Sequence, residues 1–484
     1  MLKLRSIYCF RQAILEFDGR QEGVARVTEG FSRIDQELCT GCGNCTAICP
    51  AEAISGVRNK PHELSEERCV GCGRCVQICS AYDTVFQEHP ISRAERLRQR
   101  GLPSGLTEPL FAAYDRCYIG DVKAALADPN RIVLAQIGPA VCGALAEDFG
   151  LAAGSVSTGR IVAALKKIGF RKVYSFTLAA ALAVMEEAHE LVERLKSGII
   201  LPVINSSCPA AVKFIEQFHP ELIHYLASCK SPHQIAGTLL KSYVAGALNL
   251  SPAQIYGVSI GPCTSRKFEA IRPEMRSGGY PNIDAVLTTR ELAYLIKDSG
   301  IDLLSLEEKE FDAELPVIPG MENVYCAPGD IAESVLHASY GLFGQNDGGS
   351  PDVKFQDTGT EGVRAATVQL NGFKVKAVSV AGLPGAAPFF DAIKAGKNEV
   401  AFLELLACPM GCVSGGGQPK VLLPQDKAGA YADRARLSRV DAKSIESIVQ
   451  NAAVQRTYRD FGKPCGDKSN KALHTQYTER KLSK

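Results

Sequence analysis

At 484 residues the chain is long enough for two to four domains around a large core, and 46% hydrophobic with 22% charged residues is ordinary for a soluble globular protein. Lys+Arg 54 against Asp+Glu 53 leaves a formal charge of +1, which argues against a nucleic-acid or anionic-membrane partner. No apolar run approaches the roughly 20 residues of a spanning helix and no signal peptide is apparent, so the eighteen cysteines point to metal ligation in a reducing cytoplasm.

Cys9 follows Ile7-Tyr8 and reads as a buried thiol without a ligand role. Residues 39–79 then carry two matching runs. Cys39, Cys42, Cys45 and Cys49 form the first, closed by Pro50, and Cys69, Cys72, Cys75 and Cys79 form the second. This is the spacing of bacterial two-cluster ferredoxins, in which the fourth cysteine of each run serves the other cluster. Cys39, Cys42, Cys45 and Cys79 are therefore assigned to one 4Fe–4S cluster, and Cys69, Cys72, Cys75 and Cys49 to the second. A zinc or disulfide framework is the bland alternative, and two complete runs make it a poor one.

Residues 86–130 are expected to be a linker and packing arm. The run Ile91–Arg100 holds four arginines against one glutamate and precedes a Gly/Pro/Ser stretch; a solvated charged face is the expectation. From Arg131 strand-like and helix-like stretches alternate. Strands are expected at 131–137, 172–176, 201–204, 255–260 and 400–405. Helices are expected at 158–168 behind Ser157, at 178–196, and from Ser231-Pro232 to about Ala247. Asn371-Gly372 marks a hairpin between 363–370 and 373–380. Cys208, Cys263 and Cys408 each follow an expected strand, and ligands gather at the carboxyl ends of strands in open α/β sheets.

With Cys412, those three make four thiolates, the number a cubane requires. Their settings are Ser207-Cys208-Pro209, Gly261-Pro262-Cys263-Thr264 and Cys408-Pro409-Met410-Gly411-Cys412, the last followed by Gly415-Gly416-Gly417-Gln418-Pro419. Together with Met185-Glu186-Glu187, Lys230-Ser231-Pro232, Lys267, Glu269 and the tail Leu473–Tyr477, these segments resemble the FeFe-hydrogenases over most of the chain. The resemblance implies an α+β ferredoxin-like domain at 1–85 and an α/β H-cluster domain at 131–420 with parallel sheets flanked by helices. It also implies a small-subunit-like tail at 421–484. Cofactors would be two 4Fe–4S clusters and an H-cluster, a cubane joined through Cys412 to a two-iron unit bearing CO, cyanide and a bridging dithiolate amine. The chemistry would be reversible splitting of dihydrogen into protons and electrons. Partners would be a ferredoxin or another electron-transfer or signalling protein, and maturation factors.

Departures from the family pattern are informative. Where active members carry a proton-relaying cysteine this chain has Ser207, a far weaker acid than a thiol titrating near roughly pH 8.5. Gly261 and Leu406 replace methionines, Arg266 replaces the cyanide-binding lysine, and His233 takes the place of a pocket glutamine. Glu187 and Glu190 match the proton-path carboxylates and share one helix face, a spacing that a solvated surface explains equally well. Ala227 replaces a relay serine, so that route is expected to be broken twice. Cys117, Cys142, Cys229, Cys326 and Cys465 are read as structural, and His189, His219, His224, His337 and His474 as ordinary histidines without metal spacing.

Three readings stay open: a slow, sensory hydrogenase relative; a fast ferredoxin-linked hydrogenase; and an iron–sulfur assembly relative without the two-iron unit. Assembly relatives commonly end in a tryptophan-containing signal, and this chain has no tryptophan.

Overall fold

The computed structural model describes residues 32–83, 91–198, 201–344, 352–421, 427–436, 444–445 and 448–482. Cys9 and the first residues of the 86–130 arm lie outside them.

The front domain is built from loops wrapped on very short elements, since a domain organised by clusters needs little apolar core of its own. Strands β1 (Ser32–Ile34), β2 (Ile54–Ser55) and β3 (Glu63–Leu64) flank two one-turn helices, Asn44–Ile48 and Arg74–Ile78, each carrying the third cysteine of a run. The arm supplies β4 (Ala113–Asp115), which pairs antiparallel with β1. Its basic run does not form a solvated face. Ser92 caps the helix Arg93–Arg100, and two of its arginines turn inward. Arg96, 2% exposed, bonds Asp35 at 3.0 Å and also Glu37; Arg100 reaches Asp35 at 2.8 Å; Arg93 pairs with Asp83. The charges are spent clamping the arm to the front domain, where loss of one partner would strand a buried carboxylate. Lys267, fully buried between Asp115 at 2.5 Å and Glu291 at 2.7 Å, fastens the same arm to the body.

The body holds two sheets. In the first, β5 (Ile132–Ile137), β6 (Lys172–Ser175), β8 (Ile255–Gly261) and β11 (Ala285–Thr288) lie in the order 11-8-5-6, all parallel. Both faces are covered by helices, which is why these strands are apolar almost throughout. The second sheet, in the order 12-13-14-15-7, joins β7 (Val203–Ile204) and β15 (Phe402–Leu406), which are parallel, to β12 (Gln356–Asp357), β13 (Val363–Leu370) and β14 (Phe373–Ala381). β13 pairs antiparallel with β14 through the Asn371-Gly372 hairpin, and β12 pairs antiparallel with β13. β9 (Arg276–Ser277) and β10 (Tyr280–Pro281) make a small ribbon, and β16 (Pro409–Cys412) follows β15.

Between the sheets runs the helix Thr177–Ser197, whose alanine- and leucine-rich sequence is buried nearly all round until Glu193. Such burial on every side identifies a central helix. The helix opening at Ser231-Pro232 continues as expected to Ala247, but passes through one π-helical turn at Leu240–Val244. A third core region joins the front domain to the body: Ala51, Ala53 and Val70 pack with Ala210, Ala211, Ile215 and Leu405. The front domain therefore shares its core with the body. No helix among the described residues is long and apolar enough to cross a membrane.

Candidate functional site

The eight front cysteines fold into two tetrads. Cys45 feels the charges of Cys39, Cys42 and Cys79, whereas Cys75 feels those of Cys69, Cys72 and Cys49. A zinc ion binds thiolates at about 2.3 Å and would draw them to about 3.8 Å of each other. Among the described residues no three of these sulfurs come within 4.8 Å. The wider spacing suits a cubane. The inner tetrad rings a small cavity. Backbone amides point at the sulfurs: Ala53 N to Cys49 at 3.3 Å, Gly71 N to Cys69 at 3.3 Å, His62 N to Cys39 at 3.4 Å and Ala113 N to Cys79 at 3.4 Å. Such bonds stabilise a cluster's negative charge. Burial pushes the Cys72 thiol up to about 12, so only a bound metal would hold it as thiolate near neutrality. Cys42 is exposed and the inner tetrad is largely buried, which sets an outer and an inner position.

The body contributes a third tetrad. Cys208 ends the segment after β7 and precedes the helix Pro209–Phe218; Cys263 lies just past β8; Cys408 and Cys412 bracket β16. The strands come from both sheets, and their carboxyl ends meet. Cys408 is acted on by Cys263, Cys208, Cys72 and Cys412, in that order after burial, so the third tetrad is closed and also abuts the inner front tetrad. Burial and the neighbouring Cys263 push Cys208 up to about 11, while Arg266 pulls it down.

Contact between the two tetrads is backbone-close. Thr264 Oγ1 donates to Gly71 O at 2.7 Å, and Gln77 Nε2 donates to the carbonyls of Gly415 (3.1 Å), Gly416 (3.3 Å) and Gln418 (2.7 Å). A Cβ on Gly416 would sit 2.6 Å from the Cys72 carbonyl oxygen and 2.8 Å from Gly73 Cα. Gly73 itself has φ +69°. The glycine run after Cys412 therefore exists to let one backbone lie on another. Gly416→Ala should retain iron yet separate the tetrads; stopped-flow reduction will find slower electron transfer into the body. An unchanged rate would place the electron entry elsewhere.

Beside Cys412 lies a second small cavity, walled by Arg266, His233, Gly261, Phe176 and Tyr325. A Cβ at Gly261 would meet only Arg266 Cδ, at 3.9 Å, so the glycine leaves this wall open. His233 Nδ1 meets Ser259 Oγ at 2.5 Å, while Nε2 has no hydrogen-bond partner among the described residues and lies 3.8 Å from Glu269. Burial and the nearby Arg266 hold His233 neutral, well below its ordinary value. Arg266 bonds Ser231 Oγ at 3.3 Å and Glu269 at 3.5 Å.

Ser207 and Glu187 stand together. Ser207 Oγ is 3.4 Å from Glu187 Oε1, and Asn205 Nδ2 donates to both Glu187 oxygens at 2.7 and 2.8 Å. Glu187 is fully buried, which overturns the solvated-surface alternative. Burial raises it to about 8, with Glu190 and Glu404 adding repulsion against the bonds from Asn205. Glu190 pairs with Arg194 and accepts from Ser228 N at 3.1 Å and Ser228 Oγ at 3.2 Å. The hydroxyl missing at Ala227 is thus partly supplied one residue later. Ala227 lies in the apolar core, and Cys229 is buried with its thiol on Lys230 O, a packing role as expected.

A pH signature follows. The folded protein holds the Glu187 proton to about pH 8, whereas the unfolded chain releases it near 4.5. Stability is therefore full below about pH 4.5 and declines as pH rises toward 8. Glu187→Gln removes that cost, so its gain in melting temperature should grow from pH 5 to pH 8 and then level off. A pH-independent difference would contradict the raised carboxyl.

Several residues here carried no sequence signal. Tyr325, at φ +72° in a loop, lines the cavity with its hydroxyl near Ser207 and Glu187. Glu404 is buried within β15 and accepts from Gly329 N at 2.7 Å. Asn205 could have been noticed as a polar residue closing an apolar strand. Cys465 and His474, read as structural, come together at Glu186.

The family model for the iron only hydrogenase large subunit, C-terminal domain, matches residues 131–416. The chain belongs to the iron-only hydrogenase family. Its front end matches a 4Fe-4S dicluster domain over residues 32–85, and its tail matches the iron hydrogenase small subunit over residues 434–480. The periplasmic Fe hydrogenase large subunit of Nitratidesulfovibrio vulgaris is 36% identical over 80% of this chain and 86% of its own length. Iron hydrogenase 1 of Clostridium pasteurianum is 34% identical over 76% of this chain but only 65% of its own length. Protein NAR1 of Arabidopsis thaliana is 30% identical over 65% of this chain and 71% of its own. A variant of apo FeFe-hydrogenase HydA1 from Chlamydomonas reinhardtii superposes with a TM-score of 0.68 at 29% identity, over 76% of this chain and all of that one. The chain is thus an iron–sulfur protein of the hydrogenase fold, and the family holds relatives with and without the name of hydrogenase.

Proposed function

We propose that the protein is an FeFe-hydrogenase-type oxidoreductase acting on dihydrogen and protons, slow in turnover and suited to sensing. The carrying observation is the cavity beside Cys412. An assembly relative needs only a four-cysteine cubane site, whereas here a small pocket adjoins Cys412 and is lined by the buried Arg266 and the neutral imidazole of His233.

Cys208, Cys263, Cys408 and Cys412 would hold the cubane, and Cys412 would bridge to a two-iron unit in the cavity. When bound, that unit supplies the site of dihydrogen cleavage, and the protein supplies orientation, exclusion of water and charge. Arg266 offers guanidinium donors where the family's lysine would meet a cyanide, with a planar fork in place of a point charge. Phe176 and Tyr325 contribute aromatic wall to the cavity. Electrons would pass between the body and the inner tetrad, Cys69, Cys72, Cys75 and Cys49, which lies against it. From there they would pass to the outer tetrad, Cys39, Cys42, Cys45 and Cys79, whose exposed Cys42 faces a redox or signalling partner. Protons would move between Ser207 and Glu187. Glu187, protonated at neutral pH, can donate, but a serine hydroxyl is a poor intermediary. That weak link motivates slow turnover.

The test is infrared spectroscopy of protein matured with hydrogenase assembly factors, joined to a dihydrogen turnover assay. CO and cyanide bands that shift under dihydrogen, with low turnover, are expected. Absence of such bands after full maturation would favour the assembly reading; fast turnover would favour the ferredoxin-linked enzyme.

A further inference from the structure

Glu186, Cys465 and His474 come from two distant parts of the chain: Glu186 from the central helix, and Cys465 and His474 from the two ends of the helix Asp467–Leu473. One donor atom of each lies within 4.8 Å of the other two. His474 Nε2 faces Glu186 Oε2 at 2.9 Å. Glu186 is fully buried, and the Tyr458 hydroxyl interacts with its carboxylate. Cys465 adopts φ +49°, a conformation that side-chain-bearing residues rarely take. Its amide donates to Glu186 Oε2 at 2.7 Å and its thiol to the Glu186 carbonyl oxygen at 3.6 Å.

From this geometry we infer that Glu186, Cys465 and His474 form a binding site for one divalent zinc-class metal ion, separate from the three cysteine tetrads. Thiolate, imidazole and carboxylate are the zinc donor types, and three of them leave one position for water. The outer shell is also present. A metal-binding histidine almost always engages a partner through its second ring nitrogen. His474 Nδ1 meets Ser228 Oγ at 2.9 Å, and Ser228 in turn bonds Glu190. Binding would release the Cys465 proton to solvent and leave no charge change at iron. Its consequence is structural: the ion would tie the C-terminal tail to the helix that carries Glu187 and Glu190. This inference does not depend on the dihydrogen chemistry.

The experiment uses the full-length, iron-loaded protein, so that the tetrads are filled. It is incubated with zinc, passed through gel filtration, and analysed for zinc and iron together. About one zinc per chain is expected. Cys465→Ser and His474→Gln should each lose that zinc with iron unchanged. Ser228→Ala, which spares all three donors, should weaken zinc about 10- to 100-fold. Wild-type protein that retains no zinc overturns the site, as does zinc that persists equally in Cys465→Ser and His474→Gln. Should both of those variants fail to fold, cobalt added to the wild-type, iron-loaded protein decides: a thiolate-to-cobalt absorption band that Ser228→Ala weakens supports the site, and no band overturns it.

Discussion

Cys263→Ala should remove about four irons, and with them every CO and cyanide infrared band, while about eight irons stay in the front domain. Cys263 is the neighbour whose charge acts first, after burial, on each of Cys208, Cys408 and Cys412. It therefore neighbours all three other members of the third tetrad, and its loss leaves a cubane there with three thiolates. The Ser265 hydroxyl, 3.0 Å from the Cys263 sulfur, is a weak iron ligand and will not substitute. The fold should survive, because β8 is paired with β5 from Ile255 to Ile260 and with β11 from Val258 to Gly261, and the cysteine lies just beyond it. Circular dichroism, iron analysis and electron paramagnetic resonance on one preparation check all three statements. Retention of every cluster signal would mean that the ligand set is wrong. Loss of the front-domain signals as well would mean that the tetrads depend on each other for assembly, which their shared backbone contacts at Gly416 would then explain.

What the sequence revealed and what it hid divide along physical lines. Cysteine spacing is local chemistry, so the two front runs and the Cys408–Cys412 segment were legible at once. The strands that deliver Cys208, Cys263 and Cys408 were legible too, because apolar runs ending in Gly, Pro or Ser are short-range signals. Arg96 and Arg100 were not: a run of arginines looks solvated until Asp35 and Glu37, some sixty residues earlier, are placed beside it. Glu187 illustrates the same limit. Its spacing from Glu190 shows a shared helix face but not which face meets the core, and burial, with repulsion from Glu190 and Glu404, moves its carboxyl to about 8. Tyr325 and the Glu186–Cys465–His474 group depend wholly on tertiary folding. No periodicity leads from residue 186 to residue 474.

The second large effect concerns proton transfer. Ser207→Cys should raise dihydrogen turnover by about 100-fold or more, within the range that a positioned acid–base group contributes. A thiol titrates near roughly 8.5. Glu187, 3.4 Å from the hydroxyl it would replace, sits at about 8. Donor and acceptor would then be nearly matched, so a proton could pass either way at little cost, whereas the serine hydroxyl leaves a steep climb at this one point. The next step outward is already furnished, since Ser228 bonds Glu190 and Glu190 pairs with Arg194 toward the surface. For that reason Ala227→Ser alone should leave the rate unchanged: a relay runs no faster than its worst step. Added to Ser207→Cys, it should give a further but smaller gain. Gly261 and Arg266 would still differ from a fast enzyme, so the double variant should remain below one. If the unmodified protein already turns over rapidly with the same electron donor, or if Ser207→Cys changes nothing, proton delivery at Ser207 is not the limit and the sensory reading gives way to the catalytic one.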